Sequence, residues 1–289
     1  MTPEMTKLRM MYRGFQDLQK LRIQSGNRNT TDEVVLDDAD KVFFEGMGNG
    51  LEVLEKSSLK AMKRILKGIP IWKEWLDAQL GIGPAISAFL VAEINIEKCE
   101  TASQLWSWMG LKVVVKNCPF CGGKPGNKCS VCQGKGTVGQ ADRRFKGQRA
   151  DYDPKRKAKV LYVMGGCLTK ANDAWKKVYD GRKHRRQHQM VALCMGCGGT
   201  GRRKGIIKGE DGKTEEKGKE VECWNCGGTG GPAPWGRDDK HRHLDATRYM
   251  VKMFLLELWK QWRTIEGLPV RESYAVEKLG MAPHSGGAS

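Results

Sequence analysis

The sequence predicts a mainly α protein, a helix-hairpin-helix helical core with two small inserted zinc-ribbon modules, and three observations lead there. Apolar residues recur at helical spacing over long segments, as in Val251, Phe254, Leu255, Leu258 and Trp262. Two stretches, 112–140 and 191–236, abandon that period and become rich in Cys, Gly and Lys. Between two short apolar runs lies Gly81-Ile82-Gly83-Pro84-Ala85, a tight reversal followed by a residue suited to the first turn of a helix. With 289 residues and 39% hydrophobic content the chain can bury a core.

Residues 1–68 form an N-terminal helical arm. Leu8, Met11, Phe15, Leu18 and Leu21 share a helical face, Asn27–Asp40 is a polar loop with a helix start near Asp37 or Asp38, and an amphipathic segment runs on to Lys67. Gly46, Gly48 and Gly50 should weaken or interrupt it. The carboxylates Asp32, Glu33, Asp37, Asp38 and Asp40 fall in one local stretch and read as loop and cap chemistry rather than a metal site. Residues 69–111 hold the helix-hairpin-helix, with helices over Ile71–Leu80 and Ala85–Ile94. The first zinc ribbon occupies 112–140.

A basic helical segment, 141–190, carries a helix around Pro154–Tyr179 with Leu161, Met164, Leu168, Ala171, Trp175 and Val178 on one stripe. The second ribbon follows at 191–236. A core helix fills 237–267; Met250, Met253 and Trp259 widen its apolar stripe, so it should be largely buried. Residues 268–289 are a polar tail. Trp72, Trp75, Trp106, Trp108, Trp259 and Trp262 sit in apolar helical stripes and read as core, as do Cys99 and Cys167.

Lys plus Arg number 50 against 33 Asp plus Glu, a net charge of +17. A field of that sign collects polyanions, with nucleic acid first among them. No run approaches the roughly 20 apolar residues that span a bilayer, and Met1–Gly14 holds no signal-peptide core, so no membrane partner is expected and the expected location is cytoplasmic, nucleoid-associated or in a host cell. Eight of ten cysteines form Cys-x-x-Cys pairs, which in a reducing compartment means metal rather than disulfides.

The pairs are Cys118/Cys121, Cys129/Cys132, Cys194/Cys197 and Cys223/Cys226, each turn placing two thiolates on one edge of a tetrahedron. Following glycines let the backbone fold beneath the sulfurs and offer N–H groups to them. Eight thiolates make two structural Zn²⁺ sites per chain, closed because protein fills all four positions. Adjacency groups the first four cysteines around one ion and the last four around the other. The repeated Cys-x-x-Cys-x-Gly-x-Gly form resembles the zinc domain of J-domain chaperones, and that resemblance implies a nested arrangement, first pair with fourth.

At the hairpin, free N–H groups at the start of the second helix form an anion site for backbone phosphate, which gives affinity without base information. Ala85, Ala88 and Ala92 let the two helices cross closely, and Ile82 plugs the space between them. The nucleic-acid contacts expected are Gly81, Ile82, Gly83, Pro84 and Ala85, with Lys155, Arg156, Lys157 and Lys159, then Lys176, Lys177, Arg182, Lys183, Arg185 and Arg186, and finally Arg202, Arg203 and Lys204. His184, His188, His241 and His243 lie among these cations and suit surface or phosphate roles, because the cysteines complete the zinc shells.

The run Gly81-Ile82-Gly83-Pro84-Ala85, with Ala88 and Ala92-Glu93-Ile94, then Leu105-Trp106-Ser107-Trp108-Met109-Gly110-Leu111, resembles the C-terminal domain of the RuvC-like "DEDD" insertion-sequence transposases. Lys155–Tyr179 and Asp245–Arg263 resemble the two closing helices of that domain. The family's nuclease domain has no room in the first 68 residues, and the first zinc module stands where its catalytic Ser-Gly motif should follow Leu111. The resemblance therefore implies a non-catalytic nucleic-acid-binding protein of a phage or other mobile element, DNA favoured and structured RNA the alternative. Other readings are a recombinase subunit acting with a partner nuclease, and a zinc-stabilised, chaperone-like assembly protein.

Overall fold

The computed structural model describes residues 2–29, 36–118, 121–124, 134–142, 149–191, 194–208, 215–236 and 238–271, with residues 126, 129, 132 and 147. It is mainly helical, and the chain divides into two compact units, Met1–Leu105 with Leu256–Met281 and Trp106–Leu255 with Ala282–Ser289.

The first unit is built on two long helices, α1 (Pro3–Asn29) and α2 (Asp38–Leu66). Asp37 starts α2 as the reading of the loop expects, its carboxylate accepting from the Asp40 N–H at 2.8 Å. Asp32 and Glu33 lie outside the described residues. Of the two outcomes expected of Gly46, Gly48 and Gly50, interruption does not occur: each costs about 1 kcal/mol relative to Ala, and α2 continues through them. From α1, Leu8, Tyr12 and Phe15 are buried while Leu21 is exposed. Arg22 reaches Glu55 of α2 at 2.5 Å, and Ser25 Oγ donates to the Phe44 carbonyl at 3.0 Å.

Next come α3 (Pro70–Glu74), a 3₁₀ turn at Leu76–Ala78 and α4 (Pro84–Glu93). The single helix expected over Ile71–Leu80 is thus broken at Trp75, whose φ of −140° leaves the helical region, and Leu80 is exposed. In α4 every residue from Ile86 to Ala92 is buried. Arg9 of α1 holds the α4 end through the Ala92 carbonyl, with Nε at 2.8 Å and Nη2 at 2.6 Å. Cys99 is buried, though in a turn rather than a helix. It is tied down by Trp259, whose indole N–H donates to its carbonyl at 2.7 Å, and by Arg263, which donates to Cys99 O at 3.1 Å and Ile96 O at 3.0 Å.

Two helices run through the boundary between the units, α5 (Ala102–Trp108) and the last helix, α9 (Asp239–Ile265). The second unit continues with the antiparallel pair β1 (Val113–Asn117) and β2 (Thr137–Ala141). A helical run then comprises α6 (Pro154–Ala158), a π-helical segment at Lys159–Met164 and α7 (Gly165–Ala171). It stops at Asn172, whose side chain caps α8 (Asp173–His188) by accepting from the Trp175 N–H. The expected helix through Tyr179 is therefore two helices, and Ala171 faces solvent.

The short strands β3 (Met190–Val191) and β6 (Ala233–Pro234) pair to close the base of a module containing the hairpin of β4 (Arg202–Lys208) and β5 (Glu215–Glu222). Val251, Phe254 and Leu255 of α9 are buried in this unit, as Leu258, Trp259 and Trp262 are in the other. Trp175 meets Phe254 edge-on at 5.3 Å. Trp108 departs from the core expectation, with 48% of its surface exposed. Among the described residues no helix is long and apolar enough to cross a membrane.

Candidate metal centres and anion-facing surface

The structure gathers the eight knuckle cysteines into two groups in sequence order, Cys118, Cys121, Cys129 and Cys132, and Cys194, Cys197, Cys223 and Cys226. The nested pairing is not what it builds. In the first group Cys118 and Cys129 have their sulfurs 3.8 Å apart, and Cys121 and Cys132 theirs 3.6 Å apart. In the second, Cys194 to Cys223 is 3.7 Å and Cys197 to Cys226 is 3.8 Å. A disulfide needs about 2.05 Å. A tetrahedron with metal–sulfur bonds of about 2.3 Å has edges of about 3.8 Å, so both groups fit a Zn²⁺ ion held by four thiolates.

The second module shows how its chain makes this geometry. Its two knuckles repeat one plan: the Gly201 N–H donates to Cys197 Sγ at 3.2 Å and the Gly230 N–H to Cys226 Sγ at 3.3 Å. Each knuckle also anchors the other, since the Cys194 N–H donates to Gly230 O at 2.8 Å and the Cys223 N–H to Gly201 O at 2.9 Å. Gly201 and Gly230 have φ of +75° and +81°, and a Cβ on either would lie 2.0 Å from Gly228 O or 2.3 Å from Gly199 O. Only glycine fits there.

Asn225 sits inside the last knuckle and is buried. Its amide donates to Cys194 Sγ at 3.5 Å and to Gly236 O at 3.1 Å, and its carbonyl oxygen accepts from Arg242 of α9 at 3.4 Å. Burial raises the Cys194 thiol, but this amide and the Cys197 and Gly196 N–H groups outweigh it and hold the thiol down at about 6, while burial pushes the neighbouring Cys223 thiol up to about 11. Trp235 is clamped between the His241 ring, stacked at 5.1 Å, and the Arg186 guanidinium at 3.8 Å, which ties the module to α8 and α9.

At the turn before α4, Gly81 has φ of +85°, whereas Gly83 has φ of −75° with open space where a Cβ would stand. Ile82 is buried. The Ile86 and Ser87 N–H groups donate to Gly83 O at 3.1 and 3.0 Å, and among the described residues the N–H groups of Gly83 and Ala85 have no partner. Those two donors are what the helix start offers an anion.

The nominated cations separate into two kinds. Arg182 and Arg186 both donate to Asp245, at 2.8 and 2.9 Å, and Lys183 reaches Asp239 at 3.3 Å. Arg156 lies over the Trp108 ring at 4.1 Å, and Lys157 donates to Asp142 O at 2.6 Å. Burial pulls the Lys159 ammonium below the usual lysine range. Arg202 and Lys204 stand opposite Glu222 and Glu220 across the β4/β5 ladder, while Arg203 stacks on Trp224 at 5.0 Å. Lys155, Lys176, Lys177 and Arg185 are exposed on α6 and α8. Among the histidines, His243 meets the Tyr179 hydroxyl at 2.6 Å and His188 the His184 carbonyl at 2.9 Å.

Sequence reasoning passed over three residues. Asn225 was invisible because only its fold neighbours give it a role. Trp224, 53% exposed, could have been noticed, since a bulky residue inside a four-residue knuckle has no core to enter. Lys252 lies with its ammonium 3.9 Å from the Trp106 ring, and no spacing in the sequence announces it. Comparison with protein families, with curated proteins and with solved structures gives no match.

Proposed function

We propose that the chain is a zinc-stabilised nucleic-acid-binding protein, DNA favoured, related to the C-terminal domain of the RuvC-like "DEDD" insertion-sequence transposases and without catalysis of its own. The observation that carries the reading is the exposed start of α4, where the Gly83 and Ala85 N–H groups have no partner among the described residues, on a chain of net charge +17. The two thiolate tetrahedra support it: Zn²⁺ in each would fix a small module that has few buried apolar residues of its own. Exposed Lys155, Lys176, Lys177 and Arg185 supply phosphate contacts, and Trp224 and Trp108, each with an arginine over the ring, supply flat surfaces on which unpaired bases stack. What carries over from the transposase resemblance is Gly81 to Ala85; no nucleophile and no acidic set does.

The test is fluorescence anisotropy of the nuclease-treated, zinc-loaded protein with a 30-base-pair duplex, a single strand and a hairpin RNA across a salt series. The expected result is binding whose log K falls linearly with log salt, with unrelated duplex sequences bound alike. Absence of salt-dependent binding to all three probes rejects the proposal.

A further inference from the structure

We propose that the outer face of α2 is a self-association surface, on which a second copy of this chain docks its own α2 antiparallel, with the two-fold axis at Gly50. Val42, Phe43, Val53 and Leu54 are exposed at 68%, 64%, 65% and 52%, and helical spacing gathers them with Gly46 and Gly50 on one face. Isolated exposed apolar side chains need no explanation; four of them on one helical face, interleaved with glycine, form a patch of the kind that marks an interface.

The glycines sharpen the case. In a helix interior each costs about 1 kcal/mol relative to Ala, and a Cβ at Gly46 or Gly50 would meet nothing within 4 Å. The folded chain therefore gains nothing from their lack of a side chain. A neighbouring helix would, because each opens a hollow into which a large side chain can enter.

Charge selects the occupant and its direction. Up to Gly50, α2 carries Asp38, Asp40 and Glu45 against Lys41, which pairs with Asp38 at 3.6 Å. Beyond it stand Glu52 and the buried Glu55 against Lys56, Lys60, Lys63 and Arg64, with Lys56 paired to Glu52 at 2.6 Å, so the first part is net acidic and the second net basic. A parallel pair would bring like charges together. An antiparallel pair sets acidic half against basic half, and about Gly50 it places Leu54 over Gly46 and Phe43 over Ser57, large against small. Glu45 and Lys56 share one flank of the face, as do Asp38 and Lys63, so in that register Glu45 comes beside Lys56 and Asp38 beside Lys63 of the other copy. The α2 of a second chain is a partner whose net charge, acidic end against basic end, complements this face.

Sedimentation equilibrium of the full-length, zinc-loaded protein, freed of nucleic acid and measured from about 1 to 100 µM, tests this. The expected result is a monomer–dimer equilibrium that Leu54→Glu, an exposed change with an unaltered thermal midpoint, weakens at least 100-fold. Glu45→Lys should weaken it several-fold, and Glu45→Lys with Lys56→Glu should restore it. A wild type that stays monomeric at 100 µM, a dimer that Leu54→Glu leaves intact, or a double reversal no tighter than the single change each overturns the proposal. These readings require no nucleic acid, so they stand or fall apart from the binding function.

Discussion

The Asn225 amide lies 3.5 Å from Cys194 Sγ while its carbonyl oxygen accepts from Arg242, so one buried side chain joins a thiolate cluster to helix α9. Partners of this kind orient the ligand and stabilise its charge, and losing one weakens metal binding about 10- to 100-fold. Asn225→Ala should lower the zinc affinity of the second cluster by that factor and leave the first unchanged. Chelator competition that follows both ions separately checks it; equal loss at both clusters, or at neither, contradicts the role given to Asn225.

A harsher change, Cys226→Ser, should empty the second cluster and unfold its module, because metal-binding free energy is folding free energy in so small a unit. The rest of the chain is held by its own contacts, such as Trp175 on Phe254 and Arg182 on Asp245. Circular dichroism should keep nearly all of the helical signal, and metal analysis should fall from two zinc ions to one. Loss of helix in parallel with the metal would mean that the cluster organises far more than its module.

These two changes also show what the sequence discloses. Knuckle cysteines declare themselves, because metal geometry imposes a fixed local spacing; grouping in chain order rather than nested depends on how the intervening hairpins fold back. Long apolar periods locate α1, α2 and α9, since burial of one stripe decides those helices. Local propensity misjudges Gly46, Gly48 and Gly50, where the packing of α2 along α1 outweighs the helix cost, and it misses the break at Trp75 and the stop at Asn172. Ion pairing is hidden altogether: Arg182 and Arg185 look equivalent in a basic run, yet one is spent on Asp245 and the other faces solvent.

That distinction sorts the basic residues into exposed ones and ones held by partners within the chain. Neutralising Lys176, Lys177 and Arg185 together should flatten the salt dependence of nucleic-acid binding by roughly one unit of slope per lost phosphate contact, with stability unchanged. Arg186→Ala should act differently, lowering the thermal midpoint by removing a partner from Asp245 and a stacking plane from Trp235. Anisotropy salt series beside thermal melts separate the two, and a slope that ignores the triple change would remove this face of α8 from the binding surface.

Lys252 makes a pH prediction. Burial, followed by repulsion from Arg248 and Arg182, brings its ammonium down to about 8. The unfolded chain keeps that lysine protonated to about 10.4, so between these values it binds more protons than the folded chain and stability from this group rises with pH. Below pH 8 both states carry the charge and the full penalty remains. Lys252→Met should therefore stabilise the protein at pH 7 by roughly 2 kcal/mol, after allowing for the lost contact with Trp106, and the gain should vanish by about pH 10. Urea midpoints of both proteins at pH 7, 8.5 and 10 measure it, and a gain that is constant with pH would show that charge is not the cause.

The sharpest contrast lies two residues apart at the α4 turn. Gly81, at φ +85°, occupies a conformation that a β-branched residue adopts only with strain, so Gly81→Val should lower stability by about 1–3 kcal/mol and reduce binding through misfolding of the turn. Gly83, at φ −75° with empty space at its Cβ position, should accept valine without loss of stability, contrary to what its place in a Gly-Ile-Gly turn suggests. The added side chain would nevertheless stand beside the unpartnered Gly83 and Ala85 N–H groups, where a phosphate must approach closely. Gly83→Val should therefore keep its melting temperature and both zinc ions yet bind duplexes of unrelated sequence several-fold more weakly, and equally so, because phosphate contacts carry no base information. A folded Gly83→Val protein that binds as tightly as the wild type would reduce this turn to a helix connection and move the search for the nucleic-acid surface to the zinc modules, beginning with Trp224 and Arg203.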